Sequence, residues 1–259
     1  MIRFLTVIFL LAFASIFTSC SSVDSNQEFY ELRVYKSTNA ENQKVILKYI
    51  KDAYKPGLKK IGLNRIGVFT NAKNDVVDHS VYMLIPFKTA KQYTNRSDLL
   101  FTDPEYLENS KDFFSIPKKT PAYSRIESSF FKAFSGIPAM EIPKFAKEKK
   151  PRIYEMRIYE SHNEEKAMLK RDMFNVDQEI QLMRDLKMGP VWFGECLSGH
   201  NAPNLTYFLS AESFEENKAY WDVFRKHPRW QVMKKIPRYK DTVSKIDVVF
   251  LKPAGSSDW

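Results

Sequence analysis

Polar and apolar residues alternate from Tyr30 to Val34, and the eight-residue pattern Tyr30–Ser37 returns 124 positions later at Tyr154–Ser161. The first copy reads Tyr-Glu-Leu-Arg-Val-Tyr-Lys-Ser and the second Tyr-Glu-Met-Arg-Ile-Tyr-Glu-Ser. A period of two marks a strand with two chemically distinct faces, and its recurrence marks a tandem duplication. After each signature strand the period lengthens. Val45, Ile46, Tyr49, Ile50, Ala53, Tyr54, Leu58 and Ile61 fall at helical spacing, and Ala167, Met168, Phe174, Ile180, Met183 and Leu186 answer them in the second copy. Pro56-Gly57 is expected to kink the first of these helices or break its last turns. Thr38-Asn-Ala-Glu41 and Ser161-His-Asn-Glu164 have the form of capping boxes at the two helix starts.

Paired strands follow in each copy, Arg65–Thr70 and Val81–Phe87, then Val191–Leu197 and Leu205–Ala211, an alignment that matches Gly67 with Gly194 and Tyr82 with Tyr207. A further helix opens on Thr89-Ala-Lys-Gln92 and on Ser213-Phe-Glu-Glu216. Each passes an X-Pro-X-aromatic step, Asp103–Tyr106 and His227–Trp230, and each copy closes on a strand, Ser124–Lys132 and Ser244–Lys252. The order is βαββαβ twice, the split βαβ plan of ferredoxin-like units. One such unit covers one sheet face with helices and leaves the other in need of a partner. Two in tandem predict an α+β fold in which the halves close into an intrachain pseudo-dimeric barrel, helices outside and a small lumen within. The domains would be residues 29–132 and 152–253, joined by a Pro- and Lys-rich linker at 133–151 and followed by a tail at 254–259. If Leu32 and Val34 face the helices, Glu31, Arg33 and Tyr35 line the lumen, as do Glu155, Arg157 and Tyr159.

The repeated Tyr-Glu-φ-Arg-φ-Tyr strand, Gly194-Glu195, the strand start Pro203–Tyr207 and the Pro228-Arg-Trp230 step resemble the NIPSNAP family, specifically its tandem-domain bacterial lipoprotein members. The similarity runs from about Phe29 to Pro253. It implies a dimeric α+β barrel, a fold shared with small monooxygenases and haem-degrading enzymes, and implies no particular reaction.

The first 19 residues have a different character. Arg3 precedes an apolar run, Phe4–Ala14, too short to span a bilayer comfortably. Phe17-Thr18-Ser19-Cys20 resembles a lipobox, so residues 1–19 are expected to be a lipoprotein signal peptide, Cys20 the lipidated residue and 20–28 a polar tether. The localisation that follows is an exported, cell-envelope lipoprotein held to a membrane through Cys20. An ordinary secretory signal is the alternative. Only Cys20 and Cys196 exist, so the mature body has no pair for an internal disulfide. The net charge of +9 falls to +8 without Arg3. No basic element interleaved with aromatics suggests a nucleic-acid partner, and the lysine clusters at 118–119, 144–152 and 234–240 read as solvated or as attracted to acidic surfaces.

Candidate chemistry is sparse. Glu31, Arg33, Glu155 and Arg157 make a structural ion-pair network or present a fork to an acidic ligand, with Tyr35 and Tyr159 adding surface. Trp192, Glu195 and Tyr207 crowd neighbouring strands, and Glu195 is the candidate general base. Cys196, with no cationic neighbour, reads as packing. Of His79, His162, His200 and His227, only His200, in a turn-rich loop placed at the barrel mouth, is a candidate ligand contact. No spacing suggests a metal, and no Gly-rich loop a nucleotide cofactor, so no cofactor is expected. Two readings result: a lipoprotein binding a small acidic or lipid-derived ligand in or at the mouth of the barrel, and a cofactor-independent oxygenase acting on a hydrophobic aromatic substrate.

Overall fold

The computed structural model describes residues 26–75 and 77–259; the expected signal peptide at 1–19, Cys20 and most of the expected tether lie outside the described residues. The first half runs β1 (Phe29–Lys36), α1 (Ala40–Tyr49), α2 (Lys55–Lys60), β2 (Gly67–Asn71), β3 (Val81–Phe87), α3 (Ala90–Phe101), α4 (Pro104–Phe114) and β4 (Arg125–Ala133). After a short α5 (Lys144–Lys147), the second half repeats it: β5 (Ile153–Glu160), α6 (Glu164–Asn175), α7 (Glu179–Asp185), β6 (Pro190–Ser198), β7 (Asn204–Ala211), α8 (Phe214–Lys226), α9 (Pro228–Met233) and β8 (Lys245–Pro253).

The local signals explain most boundaries. Thr89 and Ser213 accept from the Gln92 and Glu216 amides as expected. At α1 the cap is one residue later than the box suggests and at α6 two residues later: Asn39 accepts from Asn42 N–H and Asn163 from Lys166 N–H, Asn being as good an N-cap as Ser or Thr. Pro56 does not end its helix. The turn before it, Ile50–Tyr54, widens to π geometry and the helix continues as α2, a bulge that absorbs the amide that proline lacks.

The eight strands close into one antiparallel barrel in the order β1-β3-β2-β8-β5-β7-β6-β4. Each half contributes a four-stranded ferredoxin-like sheet, and the halves join edge to edge. Phe69, Thr70 and Asn71 of β2 pair with Pro253, Lys252 and Leu251 of β8, and Phe131, Lys132 and Ala133 of β4 pair with Cys196, Glu195 and Gly194 of β6. Closure leaves no unpaired strand edge, which a lone half would expose on both sides.

Two expectations about faces are overturned. Leu32 and Val34 point into the barrel beside Leu84, Phe131 and Met156, whereas Tyr35 belongs to the core beneath the first-half helices. Glu31, Arg33 and Tyr35, and likewise Glu155, Arg157 and Tyr159, therefore lie between sheet and helices, not in the lumen. Alternation shows which residues share a face. It does not show which face meets helices, and here the helices carry the polar partners. The pairing also shifts one alignment: Arg33 faces Met83 and Arg157 faces Tyr207, so Tyr207 corresponds to Met83 and not to Tyr82. A one-residue slip exchanges faces, which is why Tyr82 lines the barrel while Tyr207 lies under helices.

The barrel is filled at the end where β1 begins. Trp192 packs on Tyr30 and Phe131 with ring centroids 5.0 and 5.4 Å apart. Across the lumen, Trp259 meets Phe69 at 5.0 Å and Tyr154 at 5.1 Å, and its indole N–H donates to Arg65 O at 2.8 Å. In register, Gly67 holds the position that Trp192 holds in the second half, and Phe69 the position of Gly194. A Cβ on Gly67 would stand 2.7 Å from Trp259, and one on Gly194 2.7 Å from Trp192. Large and small residues thus exchange places between the halves, and residues 254–259 are a plug and not a free tail. The linker is also packed: Phe134 and Ile137 join the second helical core, Met140 and Ala146 the barrel. At the tether's end, Glu28 is buried, accepting from Tyr30 OH at 3.0 Å and Met140 N–H at 3.0 Å and pairing with Arg65.

Candidate functional site

Strand β5 places Glu155, Arg157 and Tyr159 on the face that α6–α9 cover. The Arg157 guanidinium donates from Nη1 to Glu155 Oε1 at 2.6 Å and from Nε to the Tyr159 hydroxyl at 3.1 Å. Glu155 is completed by α8, whose Asn217 amide and Trp221 indole donate to Oε2 at 2.8 and 2.6 Å. Tyr207 donates to the Tyr159 hydroxyl at 2.9 Å and stacks on Phe193 at 4.5 Å. Burial, followed by the neighbouring Tyr159, pushes the Tyr207 phenol well above its ordinary pKa, so it stays a hydrogen-bonding phenol and does not serve as a base. Burial opposes the charge of Arg157, yet Tyr207, Tyr159 and Glu155 together raise its pKa. The arginine is a fixed cation.

Beyond Arg157 lies a cavity of about 310 Å³, walled by Tyr159, Trp221, Phe224 and Trp230. Its inner end holds an ion pair that the sequence reading missed: Lys170 of α6 contacts Glu179 of α7 at 2.9 Å, with the two residues only 4 and 2 % exposed. The Lys170 ammonium also lies 4.4 Å from the centroid of Phe174, and the Arg157 guanidinium 4.5 Å from that of Trp221. Arg157, Lys170 and Arg225 line the space, each paired with a carboxylate, Glu155, Glu179 and Asp222 in turn; of those carboxylates Glu179 alone lines the cavity, so cationic heads outnumber acidic ones on its aromatic walls. One signal was available: Lys170 occupies the place of Ile46 in the first copy, a charge inside an apolar stripe.

The first half uses the same motif differently. Arg33 again bonds Glu31 and Tyr35, at 3.3 and 3.1 Å, and Arg96 of α3 adds a contact to Glu31 at 2.8 Å. The space beside Arg33 is taken by the buried ring of Tyr54, 5.5 Å from the guanidinium, and Ile46 and Tyr123 occupy the places of Lys170 and Val243. Duplication has left one half filled with tyrosine and the other with an aromatic-walled cationic cavity.

The remaining candidates disperse. Trp192 is in the barrel, not with Tyr207. Glu195 points out to α6 and pairs with Arg171 at 2.6 Å, so Trp192, Glu195 and Tyr207 do not form one site. Burial pushes the Cys196 thiol pKa up, consistent with packing. His200 lines a second cavity, at the open barrel mouth, together with Leu32, Val34 and Met156. Among the described residues no group of three or more His, Cys, Asp or Glu side chains is placed to hold a metal ion.

No protein-family model matches the chain, and no curated protein matches it by sequence. Solved structures share its fold. A monooxygenase-like protein from Lactobacillus acidophilus NCFM superposes with TM-score 0.54 at 11% identity, covering 88% of this chain and 94% of that one. An anthrone oxidase-like protein gives 0.53 at 10%, covering 89 and 93%. A NIPSNAP family protein from Agrobacterium tumefaciens matches 40% of this chain and 94% of its own at TM-score 0.34 and 14% identity, about one repeat unit. Identities this low establish the dimeric α+β barrel architecture and nothing of the chemistry.

Proposed function

We propose that this protein binds a small, flat, acidic molecule in the cavity beneath the helices of its second half, with Arg157 and Lys170 facing the acid and Trp221, Phe224 and Trp230 enclosing the ring. The observation that carries this is that three cationic side chains line an aromatic-walled space whose counterpart in the first half is filled. A guanidinium already held by Glu155 and Tyr159 is preorganised, so a carboxylate meets Arg157 without its having to be ordered first. The surroundings disfavour the oxygenase alternative, because the Tyr207 phenol behind the lining is held protonated and Glu155 and Glu179 are ion-paired.

The acid test uses Trp221 and Trp230 as reporters. 2-Naphthoate is expected to quench tryptophan fluorescence saturably and to bind about tenfold more tightly than 2-naphthol, with Arg157→Lys weakening naphthoate at little loss of stability. Equal binding of acid and alcohol, or an Arg157→Lys variant with unchanged affinity, sinks the proposal.

The finer kinship is part of the same reading. The chain is taken as a tandem NIPSNAP-like protein, exported and lipidated at Cys20, supported by the repeated Tyr-Glu-φ-Arg-φ-Tyr strand and by Arg3, Phe4–Ala14 and Phe17–Cys20. Labelled palmitate should enter the protein in its host and fail to enter a Cys20→Ser variant.

A further inference from the structure

The open end of the barrel is a second site with different chemistry. Interior side chains grade from aromatic at the plugged end, through the aliphatic layer of Leu32, Val34, Met156, Ile158 and Val249, to a polar rim at His200, Asn201 and Asn204. The space they enclose is about 370 Å³. Rim charges are paired or hydrogen-bonded: Lys36 meets Glu127 at 3.7 Å, Lys245 meets Asp247 at 2.6 Å, and Tyr82 donates to Asp78 at 2.7 Å. Among the described lysines and arginines Lys36 alone lines this space, whereas three cations line the cavity beneath the helices.

The loop that carries His200 is built into place from below. Asn204, buried, donates from Nδ2 to the carbonyls of both His200 and Asn201 at 3.1 and 3.0 Å. Ser129 Oγ accepts from His200 N–H at 3.2 Å. Gly199 has φ +149, and a Cβ there would stand 2.7 Å from Ser129 Cα, so the chain can pass this closely only as glycine. These contacts fix the backbone. The His200 imidazole and the Asn201 side-chain amide make no hydrogen bond to another described residue. Two hydrogen-bonding groups are thus held at the lip of an aliphatic pocket.

From this we infer that the barrel mouth binds a neutral, mainly aliphatic molecule with one hydrogen-bonding end, its chain in the Leu32–Val34–Met156 layer and its polar end at His200. By scaling from benzene, which fills a cavity of about 150 Å³, the space takes on the order of fifteen non-hydrogen atoms. A charged end would have to lose its hydration beside ion pairs that are already satisfied, so a medium-chain alcohol fits better than the corresponding acid or amine. The inference is independent of the acidic-ligand site, from which the barrel wall separates it.

The test uses the mature chain with 13C-methyl methionine. Met156 reports the barrel mouth, and Met173, whose sulfur lies 3.2 Å from Lys170 Nζ, reports the cavity beneath the helices. 1-Decanol is expected to shift the Met156 methyl and leave Met173 in place, to bind at least about tenfold more tightly than decanoate or decylamine, and to lose about fivefold in affinity in His200→Ala. Val34→Trp, which fills the pocket, should abolish binding; the Met156 shift in the unaltered protein stands even if that variant fails to fold. An unmoved Met156 methyl, a shift at Met173 alone, tighter binding of decanoate or decylamine, or unchanged affinity in His200→Ala overturns the inference. 2-Naphthoate in the same sample reads out at Met173, so failure of one site is distinguishable from failure of the other.

Discussion

Trp259→Ala tests the architecture most directly, because it removes a residue that the sequence places in a tail and the structure places inside the barrel. Trp259 is fully buried, with Phe69 and Tyr154 edge-on to its ring and its indole N–H on Arg65 O. Gly67, opposite, has no side chain to fall into the gap. Truncating a buried tryptophan costs about 3–5 kcal/mol in transfer and cavity terms, and the orphaned Arg65 carbonyl adds about 1 kcal/mol if water does not reach it. One effect opposes this. Freed of its anchor, the segment after Ala254 can detach and regain about 1–2 kcal/mol of backbone entropy per residue, but only by giving up the Asp258 bridges to Lys55 and Lys59 at 2.7 and 2.9 Å. The expected net loss is about 3 kcal/mol, measured by urea unfolding, or roughly 10 °C in Tm for a chain of this size. Added indole should bind the vacated space and restore about 1.4 kcal/mol at ten times its Kd. A loss below about 1 kcal/mol, or no rescue by indole, would refute the view of residues 254–259 as a structural plug.

Lys170→Met should cost about 3–5 kcal/mol, since it leaves Glu179 charged and buried, whereas Lys170→Met combined with Glu179→Leu should recover most of that in urea unfolding; a harmless single variant would mean that the pair is not buried in solution. Burial tends to raise the Asp258 pKa, but Lys55, Lys59 and the Ile66 amide hold it net below its ordinary 3.8. A depressed folded-state pKa gives stability that is present above the unfolded value and lost as pH falls through the folded one, so the stability gap between the unaltered protein and Asp258→Asn should close on acidification below about pH 4, and a gap that is constant down to pH 2 would contradict it. Gly194→Ala forces a Cβ to 2.8 Å from that of Phe131 and should destabilise by about 1–3 kcal/mol, while Gly255→Ala, with nothing within 4 Å, should leave the melting curve unchanged.

Legibility differed by residue. The strands and their order could be read because alternation and helical stripes are local patterns, and Val81–Phe87 matches β3 end for end. The N-caps at Asn39 and Asn163 were misplaced by one and two positions because Thr38 and Ser161 supply an equally plausible hydroxyl. Tyr207 was given the wrong partner because Gly67 and Gly194 look equivalent in sequence yet sit two residues apart in register. Trp259 carries no periodic context at all, so its burial could not be anticipated.

By itself the sequence determined that two copies of a βαββαβ unit exist, where their strands and helices lie, and that Glu31, Arg33 and Tyr35 share a face. Tertiary structure decided what that face meets. Glu31 finds Arg96 65 residues away, and Glu155 finds Trp221 66 residues away; these helix-borne partners draw the polar face under the helices and leave the apolar one for the lumen. It also decided which half keeps a cavity, because a tyrosine filling the space beside Arg33 and a lysine entering the space beside Arg157 differ only in packing across elements. A period-two pattern fixes relations along one strand. The choice of face depends on desolvation and pairing with distant chain, which no local pattern encodes.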